Sequence, residues 1–293
     1  MDATALVGLT PLMALTSGRP EIAVALIDGP LDVAHPDFAG QKFRELAGGP
    51  MACERNDSAA CMHGTLVAGI LSARRDSAAP AICPDCTLLI RSIFPELSVS
   101  AQETPSATPE ELAAAVIDAI DAGAHIINLS VGLMHPTLAG IAHLHDALDY
   151  AMRRNVICVA AAGNQGEVGS SALSSHPWVI PVAASDANGR LLPGSNFGRS
   201  IGRHGVLAPG ANIISLAPTG STLAFSGTSA AAPFVTGTLA LLWSLVPNAR
   251  AVDLRLALTG TTAALRRSVI PPLLNAWVAY QHLAARFSQR FAS

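Results

Sequence analysis

Short apolar runs with no polar alternation recur along the chain, separated by stretches whose apolar residues fall at helical spacing. The first run, Ile22 to Ile27, is stopped by Asp28-Gly29-Pro30, and similar runs lie near Leu88, Ile126, Val156 and Val179. Runs of this length suit strands buried on both faces, as in parallel sheets. Between them the pattern changes. From His63 the residues Leu66, Val67, Ile70 and Leu71 mark one side of a helix, with the imidazole near its start, and further helices are predicted from Pro109 and from Leu138. Thr108-Pro109-Glu110-Glu111 has the cap, proline and acids that favour a helix N-terminus. A long apolar helix is predicted over Ser229 to Val246, with shorter ones over Leu6 to Leu15, Val252 to Leu258 and Leu274 to Phe291. Strands alternating with helices predict an α/β fold, a mainly parallel sheet with helices on both faces. One domain is expected over 1–293, with 1–20 an N-terminal helical segment, 260–293 a C-terminal helical extension, and Ser98 to Pro105 a long polar loop.

Composition narrows the function. With 293 residues, 50% of them hydrophobic and 13% charged, the chain can fill one large core. A net charge of −3 and the absence of basic runs argue against nucleic acid, which requires clustered cations. No stretch free of charge and proline is long enough to cross a bilayer, so no membrane partner is expected. The apolar stretch Ala5 to Leu15 follows Asp2 rather than basic residues and is interrupted by Thr10-Pro11, so it does not read as an export signal and a cytoplasmic location is expected. The five cysteines do not read as a disulfide scaffold. Cys83 and Cys86 are two ligands where a closed zinc site needs four; Cys53 and Cys61, before His63, are either a local disulfide or two free thiols; Cys158 is a core residue. Neither a metal nor a cofactor is expected.

Three segments carry candidate chemistry: Asp28 at the end of an apolar strand, His63 in His-Gly-Thr-Leu-Val-Ala-Gly, and Ser229 in Gly-Thr-Ser-Ala-Ala-Ala-Pro. Taken singly they are a turn acid, a helix-start histidine and an N-cap serine. Taken together they supply a hydroxyl nucleophile, an imidazole to remove its proton and a carboxylate to orient the imidazole. A fourth segment is the apolar strand from Val156 to Ala162, which ends in Gly163-Asn164 and by itself reads as strand and turn.

In the order Asp, His, Ser, and in the wording of these motifs, the chain resembles the subtilisin-like serine proteases from about Ile22 to Thr259. The resemblance implies a three-layer subtilisin-like fold and an endopeptidase that works through an acyl-enzyme. It also implies roles: Asp28, His63 and Ser229 as the triad, and Asn164 with the Ser229 backbone N–H as oxyanion donors. Ser130-Val131-Gly132 resembles the segment that pairs with an extended peptide substrate and walls the first specificity pocket, with Ala161-Ala162-Gly163 opposite. Those small apolar walls imply an uncharged residue before the cut.

Some positions depart from the family pattern. Gly29-Pro30 follow the acid in place of a hydroxyl residue and glycine, which implies one fewer hydrogen bond to the carboxylate; Leu66 replaces a frequent histidine and Ala230 a frequent methionine. Ala73 to Ala78 lacks the ligands of a calcium loop. Asp28-Gly29-Pro30, His35 to Gly40 and Ala208-Pro209-Gly210 resemble the bacterial subtilases that trim leader segments from ribosomally made peptides, including cyanobactin maturation proteases. The implied partner is a peptide or protein bound in extended form. A peptide macrocyclase using the same site, and a catalytically silent fold that binds peptides, are the alternatives.

Overall fold

The computed structural model describes residues 2–79, 81–96, 106–133, 137–260 and 267–290; the loop expected over Ser98 to Pro105 lies outside the described residues. In chain order the strands are β1 (Ala23–Asp28), β2 (Phe43–Glu45), β3 (Thr87–Ser92), β4 (Ser106–Ala107), β5 (Ile126–Leu129), β6 (Gly132–Leu133), β7 (Ile157–Ala161), β8 (Val179–Ser185), β9 (Val206–Pro209), β10 (Ile213–Ala217) and β11 (Ser221–Phe225). The helices are α1 (Ala3–Leu6), α2 (Leu9–Leu15), α3 (Ala59–Ser72), α4 (Pro109–Asp121), α5 (Leu138–Arg153), α6 (Ala172–Ser175), α7 (Arg199–His204), α8 (Thr228–Leu245), α9 (Ala251–Thr259) and α10 (Ala276–Arg290).

Seven strands form one parallel sheet in the order β2-β3-β1-β5-β7-β8-β9. Every residue of β1, β5 and β8 is buried, as their mostly apolar runs predict. The paired helices α4 and α5 cover one face, while α3 and α8 lie against the other and against each other. The predicted α/β class and its helix layers are therefore observed. Helix α8 has the length and composition of a membrane span, but 89% of that window is buried inside the protein, where it forms the centre of the core. Replacing a fully buried residue such as Leu26 or Leu241 with alanine would cost roughly 2–5 kcal/mol.

Local structure corrects several boundaries. The helix expected over Leu6 to Leu15 is two short helices, α1 and α2, divided at Gly8, which adopts a left-handed φ of 66°. Helix α3 begins four residues before His63, because the Ser58 hydroxyl accepts from the Cys61 N–H and caps it there. At α4 the capping box of Thr108 and Glu111 forms as the sequence suggests. Cys53 and Cys61 are joined in a disulfide, while Cys83, Cys86 and Cys158 are free and buried.

Candidate active site

The order of the sheet reverses between β1 and β5: the chain leaves β1 for β2 and β3 on one side, then returns to β5 on the other. Open parallel sheets bind ligands beyond the carboxyl ends of the strands at such a point. Asp28 is the last residue of β1, Ser130 follows β5, and Asn164 follows β7, so all three face one crevice. Helix α3 is pressed against the chain leaving β1. A Cβ on Gly29 would strike the Ala60 carbonyl, and one on Gly64 would strike the carbonyls of Gly29 and Pro30. This interlock sets His63 over Asp28.

His63 Nδ1 donates to Asp28 Oδ1 at 2.7 Å, which leaves Nε2 as the basic nitrogen of the neutral ring. Asp28 is fully buried, and the His63 side chain is 16% exposed. Burial by itself lowers the His63 pKa, but the charge of Asp28 and its hydrogen bond outweigh burial and raise it above the ordinary histidine value. Asp28 Oδ1 also accepts from the Gly29 N–H at 2.7 Å. The other oxygen, Oδ2, is buried and accepts no hydrogen bond among the described residues. Pro30 has no N–H to offer, so this is the thinner support that the Gly29-Pro30 sequence implied.

Ser229 is the second residue of α8 and is half-buried, and its hydroxyl makes no hydrogen bond among the described residues. Such contacts commonly tighten only around bound substrate. Its backbone is held firmly. The Ser130 hydroxyl donates to the Ser229 carbonyl at 3.4 Å and accepts from Asn128 Nδ2 at 3.0 Å, while Thr236 Oγ1 donates to Asn128 Oδ1 at 2.8 Å. This fully buried chain ties α8 to β5, the strand beside Asp28. Sequence reasoning missed it, although an asparagine inside the apolar run Ile126 to Leu129 was a visible signal.

Asn164 is oriented just as tightly. Its Oδ1 accepts from the Thr228 N–H at 2.8 Å and from the Thr228 hydroxyl at 3.0 Å. Two donors on one end of the amide fix which end is oxygen, and the Nδ2 donor is left for another acceptor. Thr228, read from the sequence only as a small neighbour of Ser229, is thus the residue that turns Asn164.

A cavity of about 630 Å³ opens beside these groups. Val131, Gly132, Ala161, Ala162 and Gly163 all line it. Ser130 does not line it, because its buried side chain is committed to Ser229. The edge of Gly132 and Leu133 pairs with Ser106 and Ala107 of β4. Glu167 is the one carboxylate among the described lining residues and was not foreseen.

The protein resembles others of known class along most of its length. The model of the subtilase family matches residues 19–285. The thermophilic serine proteinase of Bacillus sp. (strain AK1) is 35% identical over 240 residues, which cover 78% of this chain and 54% of that longer protein. Among solved structures, a mutant of the protease domain of PatA shares 34% identity at a TM-score of 0.81, covering 92% of this chain and 97% of its own. The prenylagaramide maturation protease PagA shares 32% identity at a TM-score of 0.80, covering 94% of this chain and 98% of its own. A reversal of sheet order with an Asp-His pair at its crevice, an oriented asparagine amide and a serine at the head of a buried helix accompany that similarity, and the chain belongs to the subtilase family.

Proposed function

We propose that the protein is a serine endopeptidase that hydrolyses peptide bonds in a ribosomally made precursor and removes its leader segment. The observation that carries the reading is the Asp28–His63 hydrogen bond in the same crevice as an asparagine whose amide oxygen is already taken. His63 Nε2 removes the Ser229 hydroxyl proton as Oγ attacks the substrate carbonyl. Asp28 holds the tautomer and stabilises the imidazolium. Asn164 Nδ2 and the Ser229 backbone N–H, at the start of α8, bind the oxyanion. His63 then protonates the leaving amine, and water released of its proton by the same imidazole hydrolyses the acyl-enzyme.

Similarity to PatA and PagA supports a precursor peptide as the substrate. The residue before the cut is neutral or basic, since the Glu167 carboxylate opposes an acidic side chain in its cavity. The proposed setting is the cytoplasm, where the precursor is made and where the Cys53–Cys61 bridge is open to reduction. The test is incubation with a peptide that joins a leader to a core segment, followed by mass spectrometry. Two linear fragments that together exceed the substrate by one water are expected. A cyclic core, or an uncut peptide, contradicts the proposal.

A further inference from the structure

A second cavity, of about 610 Å³, is lined by Arg199 and Arg203 of α7, His204 beside them, and Arg255 of α9. None of its described lining residues is acidic. The side chains of Arg199 and Arg203 form no ion pair or hydrogen bond among the described residues. Arg255 lies with its guanidinium 4.3 Å from the centre of the Trp178 ring and donates through Nη2 to the Pro177 carbonyl, while its buried Nε has no acceptor. Burial lowers the Arg255 pKa to about 10, so it stays charged at neutral pH. Three arginines line one cavity with no acidic residue among its described lining, and one of them keeps a buried donor unsatisfied, an arrangement that an oxyanion would complement. Ser170 lines both this cavity and the one walled by Val131 and Ala161, so the two adjoin.

We propose that this arginine-lined cavity, which adjoins the specificity cavity, is a subsite for carboxylate side chains of the peptide substrate on residues other than the one before the cut. It rests on the protease reading above and deepens it: the substrate carries an acidic stretch flanking the cut. Arginine suits the task because its planar fork meets a carboxylate with two parallel hydrogen bonds. Glu167 in the first cavity and the arginines in the second would then set the register of a substrate whose charge changes along its length.

The test is direct binding, independent of cleavage. Fluorescein-labelled leader-core peptides that carry a run of glutamates, or glutamines at the same places, are titrated by anisotropy into the Ser229→Ala protein. The glutamate peptide should bind at least tenfold more tightly, less so at high salt. Adding Arg199→Ala and Arg203→Ala should erase that preference while leaving glutamine-peptide affinity unchanged, and Arg199→Lys with Arg203→Lys should restore only part of it. Equal binding of the two peptides, or a preference that survives the alanine pair, overturns the proposal. So does inorganic phosphate that abolishes the preference where chloride of equal ionic strength does not, since a free phosphate would then be the better ligand. Cleavage of the glutamine peptide by the unaltered protein reports separately on the protease reading.

Discussion

The two sides of the crevice are held by different physics. On the β1 and α3 side, a buried charge meets a titratable ring through one hydrogen bond, and the second carboxylate oxygen accepts none among the described residues. On the β7 and α8 side the holding groups are neutral: an amide is fixed by two donors from Thr228, and Ser229 is tethered by the buried Asn128–Ser130–Thr236 chain. The first side handles the proton and is sensitive to pH. The second holds a geometry and is not. The difference teaches that proton transfer depends on charge balance here, while oxyanion binding depends on pre-set direction.

Substitutions should separate the two sides. Asp28→Asn would remove the charge while keeping the shape, and is expected to lower kcat by about 10⁴-fold through the wrong tautomer and an unsupported imidazolium. Steady-state rates on a fluorogenic peptide measure it, and a loss under tenfold would show that Asp28 does not orient the base. Asn164→Ala should lower kcat by roughly 10²–10³-fold with little change in KM, because its donor is needed only where charge develops. A KM effect without a kcat effect would place Asn164 in substrate binding instead.

The acid limb of the pH profile comes next in size. His63 must be neutral to act, and its pKa is raised, so kcat/KM should fall about tenfold for each unit of pH below that raised value. In Asp28→Asn the limb should move to lower pH, whereas in Asn164→Ala it should stay in place. The stability linkage has the opposite sense. The raised pKa favours the folded protein fully at pH values below the unfolded histidine value of about 6.5, and that contribution is lost as pH rises through the folded value. Activity and this part of the stability therefore trade places across the same window. Thermal unfolding at a series of pH values checks it, with His63→Gln as the reference that should lack the effect.

Thr228→Val should have the smallest consequence. It removes one of the two donors on Asn164 Oδ1 and the acceptor of the Gly163 N–H but keeps the Thr228 backbone N–H, so the loss of neutral hydrogen bonds worth about 0.5–1.5 kcal/mol each, roughly tenfold in kcat, is expected. Unlike the Asp28 variant it should leave the pH profile unchanged.

Much of this frame was legible in the sequence, and the reasons differ from place to place. β1, β3, β5, β7 and β8 were readable because strands buried on both faces are built mostly of apolar residues. β2 was not, since Phe43-Arg44-Glu45 lies at the sheet edge and two of its three residues are exposed. β9 was obscured by Pro209, and the β10–β11 hairpin by an outer strand that is largely exposed. At the site, motif wording pointed to Asp28, His63, Asn164 and Ser229. The support around them was hidden, because Asn128 meets Thr236 across 108 residues of sequence and no local pattern encodes that meeting. The arginine cavity was hidden for the same reason: its cations are spread from Arg199 to Arg255 and never form a run.

The central claim is that distant segments converge to make one hydroxyl nucleophilic. Intact-protein mass after treatment with a fluorophosphonate tests it most directly. The account predicts a single adduct on the unaltered protein, mapped to Ser229, absent in Ser229→Ala and strongly slowed in His63→Ala. An unaltered protein that gains no adduct, or one labelled equally well without His63, would contradict it.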